Sequence, residues 1–339
     1  MKAYFFTYTR QGIHTCQKIK ASLESQWNCS IFAPERFSVE GIKFLNRDSR
    51  KIIRDLWRQA DAFIFVAATG IAVRNIAPLI KDKTVDPAVV CVDVAGKYAI
   101  SLLSGHIGGG NRLTKQIAQA IGALPIITTA TDINRRFAVD EWAQEQGYVI
   151  SSMQIAKEIS AAILERDIPI QAEVPISGAL PVGLIVADKG PIGISFSVYA
   201  HEPYPRTLRL IPKVLTLGIG CRKGATAAQI ENAVKTTFHA HGLDVRAIQQ
   251  VASIDIKKKE AGLLSFCESW GLPLTFYSAE QLSSLSGEFT ASTFVKQTTG
   301  VDNICERTAM MHDDKLLIPK TGVNGVTVAV ATKIWEVQF

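Results

Sequence analysis

Short apolar runs alternate with helical patterns in two separate blocks of the chain, and this alternation limits the fold more than any other sequence feature. In the first block, residues 62–66 (AFIFV) lack polar alternation, which is typical of a strand covered on both faces. Similar runs lie at 88–94 and 125–128, with a helical pattern at 111–121 between them. Strands that alternate with helices predict an α/β fold, with an open, mostly parallel sheet between layers of helices.

The second block begins near residue 214, after a stretch that is rich in proline. Seven prolines lie between residues 169 and 212, and prolines at this density interrupt regular elements. The sequence therefore predicts an N-terminal α/β domain at 1–136, a small β-rich middle module and linker at 137–212, and a C-terminal α/β domain at 213–339.

Composition and charge narrow the classes of function. The chain is 47% hydrophobic and 20% charged, as in ordinary globular proteins, and no apolar run approaches the roughly 20 residues of a membrane helix. Its beginning, MKAYFFTYTR, does not resemble a secretory signal, and the six scattered cysteines form no CxxC pair. We expect a cytoplasmic protein without a zinc site. The net charge of +6 favours an anionic partner, but the dispersed basic residues do not favour nucleic acid.

The densest motif is a glycine-rich loop, residues 104–111 (SGHIGGGN), between a predicted strand at 98–103 and a helix. Glycines let a ligand approach the backbone, and a helix N-terminus offers unpaired N–H groups to a carboxylate or phosphate. Asn111 is the predicted N-cap. The alternative is a tight turn in which His106 packs locally, and the pattern alone leaves both interpretations open.

Two further motifs follow predicted strands. Residues 128–132 (TTATD) offer hydroxyls and the carboxylate of Asp132, which could orient a histidine or a water and could face the same crevice as the glycine-rich loop. A capping cluster is the alternative. Arg74, in the first turn of a predicted helix, could bind an anion bidentately or could simply be solvated.

The C-terminal block has its own loop between strand and helix, residues 218–224 (GIGCRKG). If Arg222, Lys223 and the helix N-terminus lie close to Cys221, they would lower the pKa of its thiol and make it a nucleophile. The other interpretation is an anion-binding loop in which Cys221 is a small packed residue. Lys320, after a predicted strand at 316–318, could add a cation to the same edge.

Together these motifs resemble both domains of the cobalt-precorrin-5A hydrolase family, also called CbiG, in the family's order. Two departures are small: Gly110 stands where the family pattern suggests Ala, and Thr308 interrupts an alanine-rich stretch. The matching segments are 70–74, 86–90, 100–111 and 126–132 for the N-terminal domain, and 217–224, 253–260 and 325–329 for the C-terminal domain.

The resemblance implies a substrate and a reaction. The substrate is a cobalt-bearing tetrapyrrole with a δ-lactone between the ring A acetate and C20. Water opens this lactone, and C20 leaves with its methyl group as acetaldehyde, which gives cobalt-precorrin-5B. Because cobalt arrives within the substrate, no separate cofactor or protein metal is expected.

The resemblance points to the loops, and the roles of individual side chains are hypotheses from their chemistry. We predict that His106 is the base that activates water, that Asp132 orients it, and that Ser104 donates to the lactone carbonyl. The predicted substrate-binding residues are Arg74, Gly105, Gly108, Gly109, Gly110, Asn111, Thr128, Thr129, Thr131, Gly220, Cys221, Arg222, Lys223 and Lys320.

Two other functions stay open at this stage. The chain could be a non-catalytic tetrapyrrole-binding or delivery protein of the same pathway, or a phosphate- or nucleotide-handling enzyme that uses residues 108–110. The expected partner is a small-molecule tetrapyrrole, with neither nucleic acid nor a membrane. Transient contact with neighbouring methyltransferases of the pathway and a homodimer are further expectations.

Overall fold

The computed structural model describes residues 1–37, 39–45, 49–82, 85–105, 108–129 and 136–339. His106, Thr131 and Asp132 therefore lie outside the described residues. Contacts divide the chain into two compact units, unit 1 (Met1–Gln144) and unit 2 (Glu145–Phe339). Both units combine strands and helices, which confirms the α/β prediction. The boundaries at 136/137 and 212/213 stay a prediction.

Unit 1 is built around a seven-stranded sheet in the order β3-β2-β1-β4-β5-β6-β7. Neighbouring strands are parallel except β5 and β6, which are antiparallel. Its strands are β1 (Lys2–Thr7), β2 (Asn28–Pro34), β3 (Lys43–Leu45), β4 (Ala62–Val66), β5 (Ala88–Val92), β6 (Tyr98–Leu103) and β7 (Leu124–Ile126). Its helices are α1 (Arg10–Leu23), α2 (Ser49–Trp57), α3 (Thr69–Ile76), α4 (Gly110–Ile121) and α5 (Val139–Glu145), the last of which crosses into unit 2.

Apolar side chains cover both faces of this sheet, as the uninterrupted strand β4 predicts. On one face α1 and α4 bury Ile19 and Ile117 against the strands. On the other face α2 and α3 bury Ile53 and Ile76 beside a group of stacked phenylalanine rings that includes Phe6. Every residue of β4 and β5 is buried, so these two strands form the centre of the unit.

The reversal between β5 and β6 decides where the loops of unit 1 lie. Only residues 93–97 connect the two strands, and a parallel connection needs a dozen residues or more. The Asp93 carboxylate accepts hydrogen bonds from the N–H groups of Ala95, Lys97 and Tyr98 at 3.0, 2.7 and 2.7 Å, and Gly96 takes the left-handed conformation. The chain therefore turns back as a tight hairpin.

Unit 2 contains two five-stranded sheets, in the orders β11-β9-β12-β13-β8 and β16-β15-β14-β18-β17, and the short pair β10-β19. Its strands are β8 (Val149–Ile150), β9 (Ile168–Ala172), β10 (Ile176–Ser177), β11 (Leu184–Val186), β12 (Gly193–Phe196), β13 (Thr207–Ile211), β14 (Leu215–Cys221), β15 (Ile248–Ile254), β16 (Leu274–Tyr277), β17 (Lys315–Val323), β18 (Val326–Thr332) and β19 (Val337–Gln338). Its helices are α6 (Met153–Ala162), α7 (Ala227–Ala240), α8 (Ala261–Trp270), α9 (Ala279–Ser284), α10 (Thr293–Thr299) and α11 (Cys305–Met310).

The helix α11 lies directly on the central strand of the C-terminal sheet. A Cβ on Gly218 of β14 would overlap the carbonyl oxygen of Cys305, so this close approach requires glycine. Beside it, the buried carboxylate of Glu306 accepts hydrogen bonds from the N–H groups of Thr290 and Lys320 at 2.7 and 2.6 Å. Glu306 thus joins the segment before α10 to the edge strand β17.

Within the described ranges of the chain, every helix is too short or too polar to cross a lipid bilayer.

Candidate functional site

The glycine-rich loop closes on itself before α4 begins. The N–H groups of Gly110 and Asn111 donate to the carbonyl oxygens of Ser104 and Gly105 at 3.0 and 2.8 Å. The N-cap is Gly109, with a left-handed backbone (φ 74°). The prediction of Asn111 as N-cap is therefore wrong, because Asn111 already lies in the first turn of α4, and the first N–H groups of the helix are used inside the loop.

Packing within the loop explains its glycines. A Cβ on Gly108 would overlap the Cβ of Ser104 and come within 2.7 Å of the Ser104 carbonyl oxygen. A Cβ on Gly110 would lie 2.8 Å from the carbonyl oxygen of Leu103. These glycines allow the end of β6 and the start of α4 to approach closely. This close packing is that of a tight turn, one of the two interpretations that the sequence leaves open. The turn also borders a cavity.

The hydroxyl of Ser104 is used inside the protein. Ser104 is buried with a positive φ of 53°, and its Oγ donates to the carbonyl oxygen of Asp86 at 3.0 Å. This bond ties the glycine-rich loop to the start of β5. Donation to a substrate carbonyl, the role predicted for Ser104, would require the hydroxyl to leave Asp86.

The structure brings the loop and the threonine-rich motif together. Asn111 is buried, and its Nδ2 donates to Oγ1 of Thr129 at 3.1 Å. Thr128, next to it, is exposed. The contact places the end of β7 beside the start of α4, as one shared crevice requires.

A cavity of about 790 Å³ opens next to this loop, at the edge of the sheet where β1, β4 and β5 begin. We call this the amino edge. The carboxyl end of β6 lies there because β6 runs against β5. The volume falls within the roughly 300–1,000 Å³ typical of ligand pockets. The lining residues are Met1, Gln26, Trp27, Ala60, Asp61, Val85, Asp86, Pro87, Ala88, Gly108, Gly109, Arg112, Leu113, Lys115, Gln116, Gln119 and Gln144.

The acidic and basic groups in the cavity wall differ in their surroundings. Both Asp86 oxygens accept hydrogen bonds, from Trp57 Nε1 at 3.3 Å and from the Lys81 N–H at 2.7 Å. Asp61 accepts from the Lys2 N–H at 2.6 Å. Arg112 and Lys115 are exposed on α4. Residues 112, 115, 116 and 119 are polar at the spacing of one helix face, which is the sequence signal for this side of the cavity, and they lie outside the motifs that predicted the site.

Arg74 lies at the opposite edge of the same sheet. It belongs to α3, which follows the carboxyl end of β4, and its Nη1 is 3.7 Å from the position of a Cβ on Gly70. The five residues of β4 separate the two edges by about 16 Å. Unit 1 therefore does not bring Arg74 together with the glycine-rich loop, although both motifs follow strands of the same sheet.

In unit 2, the loop after β14 also uses its own N–H groups. Arg222 N–H donates to the Gly325 carbonyl at 3.0 Å, and Gly224 N–H donates to Glu260 Oε1 at 2.8 Å. Glu260 also pairs with Lys257 at 3.0 Å. A role of the loop as an anion site therefore depends on the exposed side chains of Arg222 and Lys223 rather than on these amides.

The environment of Cys221 does not favour a reactive thiol. Burial raises its pKa, the charge of Lys257 lowers it, and the charge of Glu260 raises it again, and the net shift is upward. Arg222 and Lys223 are exposed, the Arg222 side chain lies beside Gly325, and the Cys221 pKa is raised, so the condition for a lowered pKa is not met. Among the two sequence alternatives, the structure favours Cys221 as a packed residue.

Lys320 lies inside β17 rather than after it. The strand runs from Lys315 to Val323, longer than the predicted 316–318, and the Lys320 N–H donates to the Glu306 carboxylate. Because Thr321 pairs with Val328 and Cys221 with Val326, Lys320 lies about three residues from the carboxyl end of β14. Gly220 packs against Thr327, whose Oγ1 would lie 2.5 Å from a Cβ at that position.

Comparison with protein families identifies two matching models, in order along the chain. The model described as "Cobalamin synthesis G N-terminal" matches residues 51–132, and the model described as "Cobalamin synthesis G C-terminus" matches residues 215–331. The first match includes the glycine-rich loop and the cavity edge at Asp86, and the second includes the loop after β14.

Two curated proteins are similar over most of the chain. The cobalt-precorrin-5A hydrolase of Salmonella typhimurium is 31% identical over 341 residues, 96% of each chain. The cobalt-precorrin-5A hydrolase of Priestia megaterium is 30% identical over 319 residues, 86% of this chain and 84% of the relative.

Solved structures give weaker matches. A cobalamin biosynthesis protein G homologue from Sulfolobus solfataricus is 22% identical, with a TM-score of 0.43 and coverage of 98% and 97% of the two chains. CobE, a protein from the cobalamin biosynthetic pathway, is 26% identical, with a TM-score of 0.34, over 36% of this chain and 92% of CobE.

Proposed function

The chain belongs to the cobalt-precorrin-5A hydrolase (CbiG) family, and we propose that it opens the ring A δ-lactone of cobalt-precorrin-5A and releases the C20 fragment as acetaldehyde. The observation that carries the proposal is 31% identity to the Salmonella typhimurium hydrolase over 96% of both chains. Similarity over this length includes both units rather than a single shared domain.

The proposed reaction consumes one water. Water adds to the lactone carbonyl, the acyl–oxygen bond breaks, and the ring A acetate is released as a carboxylate while C20 keeps a hydroxyl group. The hydroxyl oxygen then becomes the carbonyl oxygen of acetaldehyde as the bond between C20 and the macrocycle breaks, and the macrocycle carbon takes up a proton. Cobalt stays in the macrocycle throughout, as part of the substrate and product.

The cavity at the amino edge supports a site for this chemistry in unit 1. Gly108 and Gly109 line the cavity, and His106 precedes them by two and three residues in the sequence. A histidine titrates near neutral pH and can accept a proton from water. We retain His106 as the proposed base and Asp132 as the residue that orients it. Thr129, which contacts Asn111, lies three residues before Asp132 in the sequence.

The direct test is anaerobic incubation of the purified protein with cobalt-precorrin-5A, followed by chemical trapping and quantification of acetaldehyde. We expect one acetaldehyde per macrocycle converted to cobalt-precorrin-5B. Binding of the macrocycle without release of acetaldehyde would instead support a delivery protein of the same pathway.

His106→Ala tests the proposed base. Removal of a general base costs roughly 10²- to 10⁴-fold, so we expect turnover to fall by at least about a hundredfold while substrate binding persists. His239→Ala is the matched control, because His239 is exposed near the end of α7. Unchanged turnover in His106→Ala would remove His106 from the mechanism and leave the overall reaction untouched.

A further inference from the structure

The cavity at the amino edge has a wall that none of the predicted site residues describes. One side is the outer face of α4, where Arg112, Lys115, Gln116 and Gln119 follow one another at helical spacing and all line the cavity. The facing side is the turn after α1, which contributes Trp27. Two cations and several amide donors thus surround a space large enough for part of a macrocycle.

The indole of Trp27 forms another side of the cavity. The ring packs against the core that α1 and α4 share, which fixes its position. Its Nε1 atom is shielded from solvent and has no hydrogen-bond partner among the described residues, so a ligand in the cavity meets the ring rather than this N–H group.

The position of Arg112 connects the wall to the glycine-rich loop. Its Nη2 lies 3.4 Å from the position of a Cβ on Gly109, so the guanidinium group folds back over the loop. A planar guanidinium binds a carboxylate through two parallel hydrogen bonds.

We propose that this wall binds the free acetate and propionate groups at one edge of the macrocycle, with Arg112 and Lys115 holding carboxylates. The inference rests on the proposed function for the identity of the substrate. It adds a specificity: the wall distinguishes a macrocycle with free carboxylates from one whose side chains are neutral.

The first experiment measures binding without turnover. The probes are dicyanocobyrinic acid, a cobalt corrinoid with seven free carboxyl groups, and its heptamethyl ester, which has none. The wild-type protein and an Arg112→Gln/Lys115→Gln double variant are compared by equilibrium dialysis, with Lys18→Gln on the exposed side of α1 as a control that removes one positive charge outside the cavity. Thermal unfolding confirms that each variant is folded.

We expect the double variant to bind the acid at least tenfold more weakly than wild type, while Lys18→Gln stays within about twofold. The ester should bind weakly to all three proteins. Equal affinity of wild type and the double variant for the acid, or equal losses for acid and ester, would overturn the inference.

The second experiment separates this inference from the proposed function. With cobalt-precorrin-5A, the double variant should raise KM at least tenfold, because Arg112 and Lys115 hold carboxylates of the bound macrocycle. If the double variant releases acetaldehyde with an unchanged KM, the carboxylate-binding role of the wall is refuted and the hydrolase function stands. If the wild type binds the acid selectively but releases no acetaldehyde, the hydrolase function is refuted and the carboxylate-binding role of the wall stands.

Discussion

Gly108 is the residue at which the packing of the glycine-rich loop can be tested most directly. A methyl group there would overlap Ser104 and crowd its carbonyl oxygen, so Gly108→Ala must displace the end of β6 or the start of α4. We expect a loss of about 1–3 kcal/mol in the free energy of unfolding, measured by urea denaturation. Gly70→Ala is the control, because its nearest neighbour would be Arg74 Nη1 at 3.7 Å. Equal stability of the two variants would contradict the tight packing.

Residue types alone could not settle what each loop residue does. The sequence shows that Ser104, Cys221 and Lys320 have suitable chemistry, but only the fold shows what each already contacts. The Ser104 hydroxyl donates to the Asp86 carbonyl oxygen, and the Lys320 N–H donates to the Glu306 carboxylate. Burial raises the pKa of the Cys221 thiol. Each of these partners is distant in the sequence, so no local pattern could reveal it.

At the scale of elements, the sequence predicted most strands and helices but not the direction of β6. Both β5 and β6 were predicted as strands, and the mostly parallel sheet is confirmed. The five residues between them, 93–97, are too few for a parallel crossover, so the length of this connection already indicates that β6 runs antiparallel to β5. Because β6 is reversed, the glycine-rich loop and Arg74 lie at opposite edges of one sheet.

Unit 2 contains an acid-sensitive connection between its two sheets. Burial would raise the pKa of Asp244, but hydrogen bonds from Arg246 and from Arg209 of β13 outweigh it and lower the pKa to about 2. The Asp244 side chain is only 8% exposed, so solvent screens these contacts weakly. Its N–H also donates to the Val198 carbonyl at 2.8 Å. The segment that contains Asp244, just before β15, is thereby held to the sheet formed by β11, β9, β12, β13 and β8.

Asp244→Asn should lower the free energy of unfolding by about 2 kcal/mol at pH 7. A carboxylate whose pKa is lowered on folding stabilises the protein above its unfolded pKa of about 4, and this contribution disappears as the pH falls towards about 2. The difference between wild type and variant should therefore narrow between pH 4 and pH 2 in urea denaturation. Asp55→Asn, at an exposed position of α2, serves as control. A constant difference across this range would show that the charge of Asp244 does not stabilise the fold.

At the scale of the whole molecule, the net charge of +6 suits the proposed substrate, a tetrapyrrole that carries many carboxylates. The exposed cations are spread over both units, including Arg74, Arg112, Lys115, Arg222 and Lys223. Charges of this kind act through solvent, and salt screens them over about 10 Å at 0.1 M and about 3 Å at 1 M. Binding of the macrocycle should therefore weaken with salt more than the chemical step does.

We expect KM for cobalt-precorrin-5A to rise roughly tenfold between 0.05 and 0.5 M potassium chloride, while kcat changes less than about twofold. The reason is that the carboxylates lie at the rim of the macrocycle, where ions reach them, whereas the lactone reacts inside the site. Thermal unfolding over the same salt range is the control, because a large loss of stability would also raise KM. The double variant Arg112→Gln/Lys115→Gln should show a shallower salt dependence than wild type, since two of the screened charges are gone. A KM that is constant over this range would mean that contacts other than charge, such as apolar contacts with the ring of Trp27, hold the macrocycle.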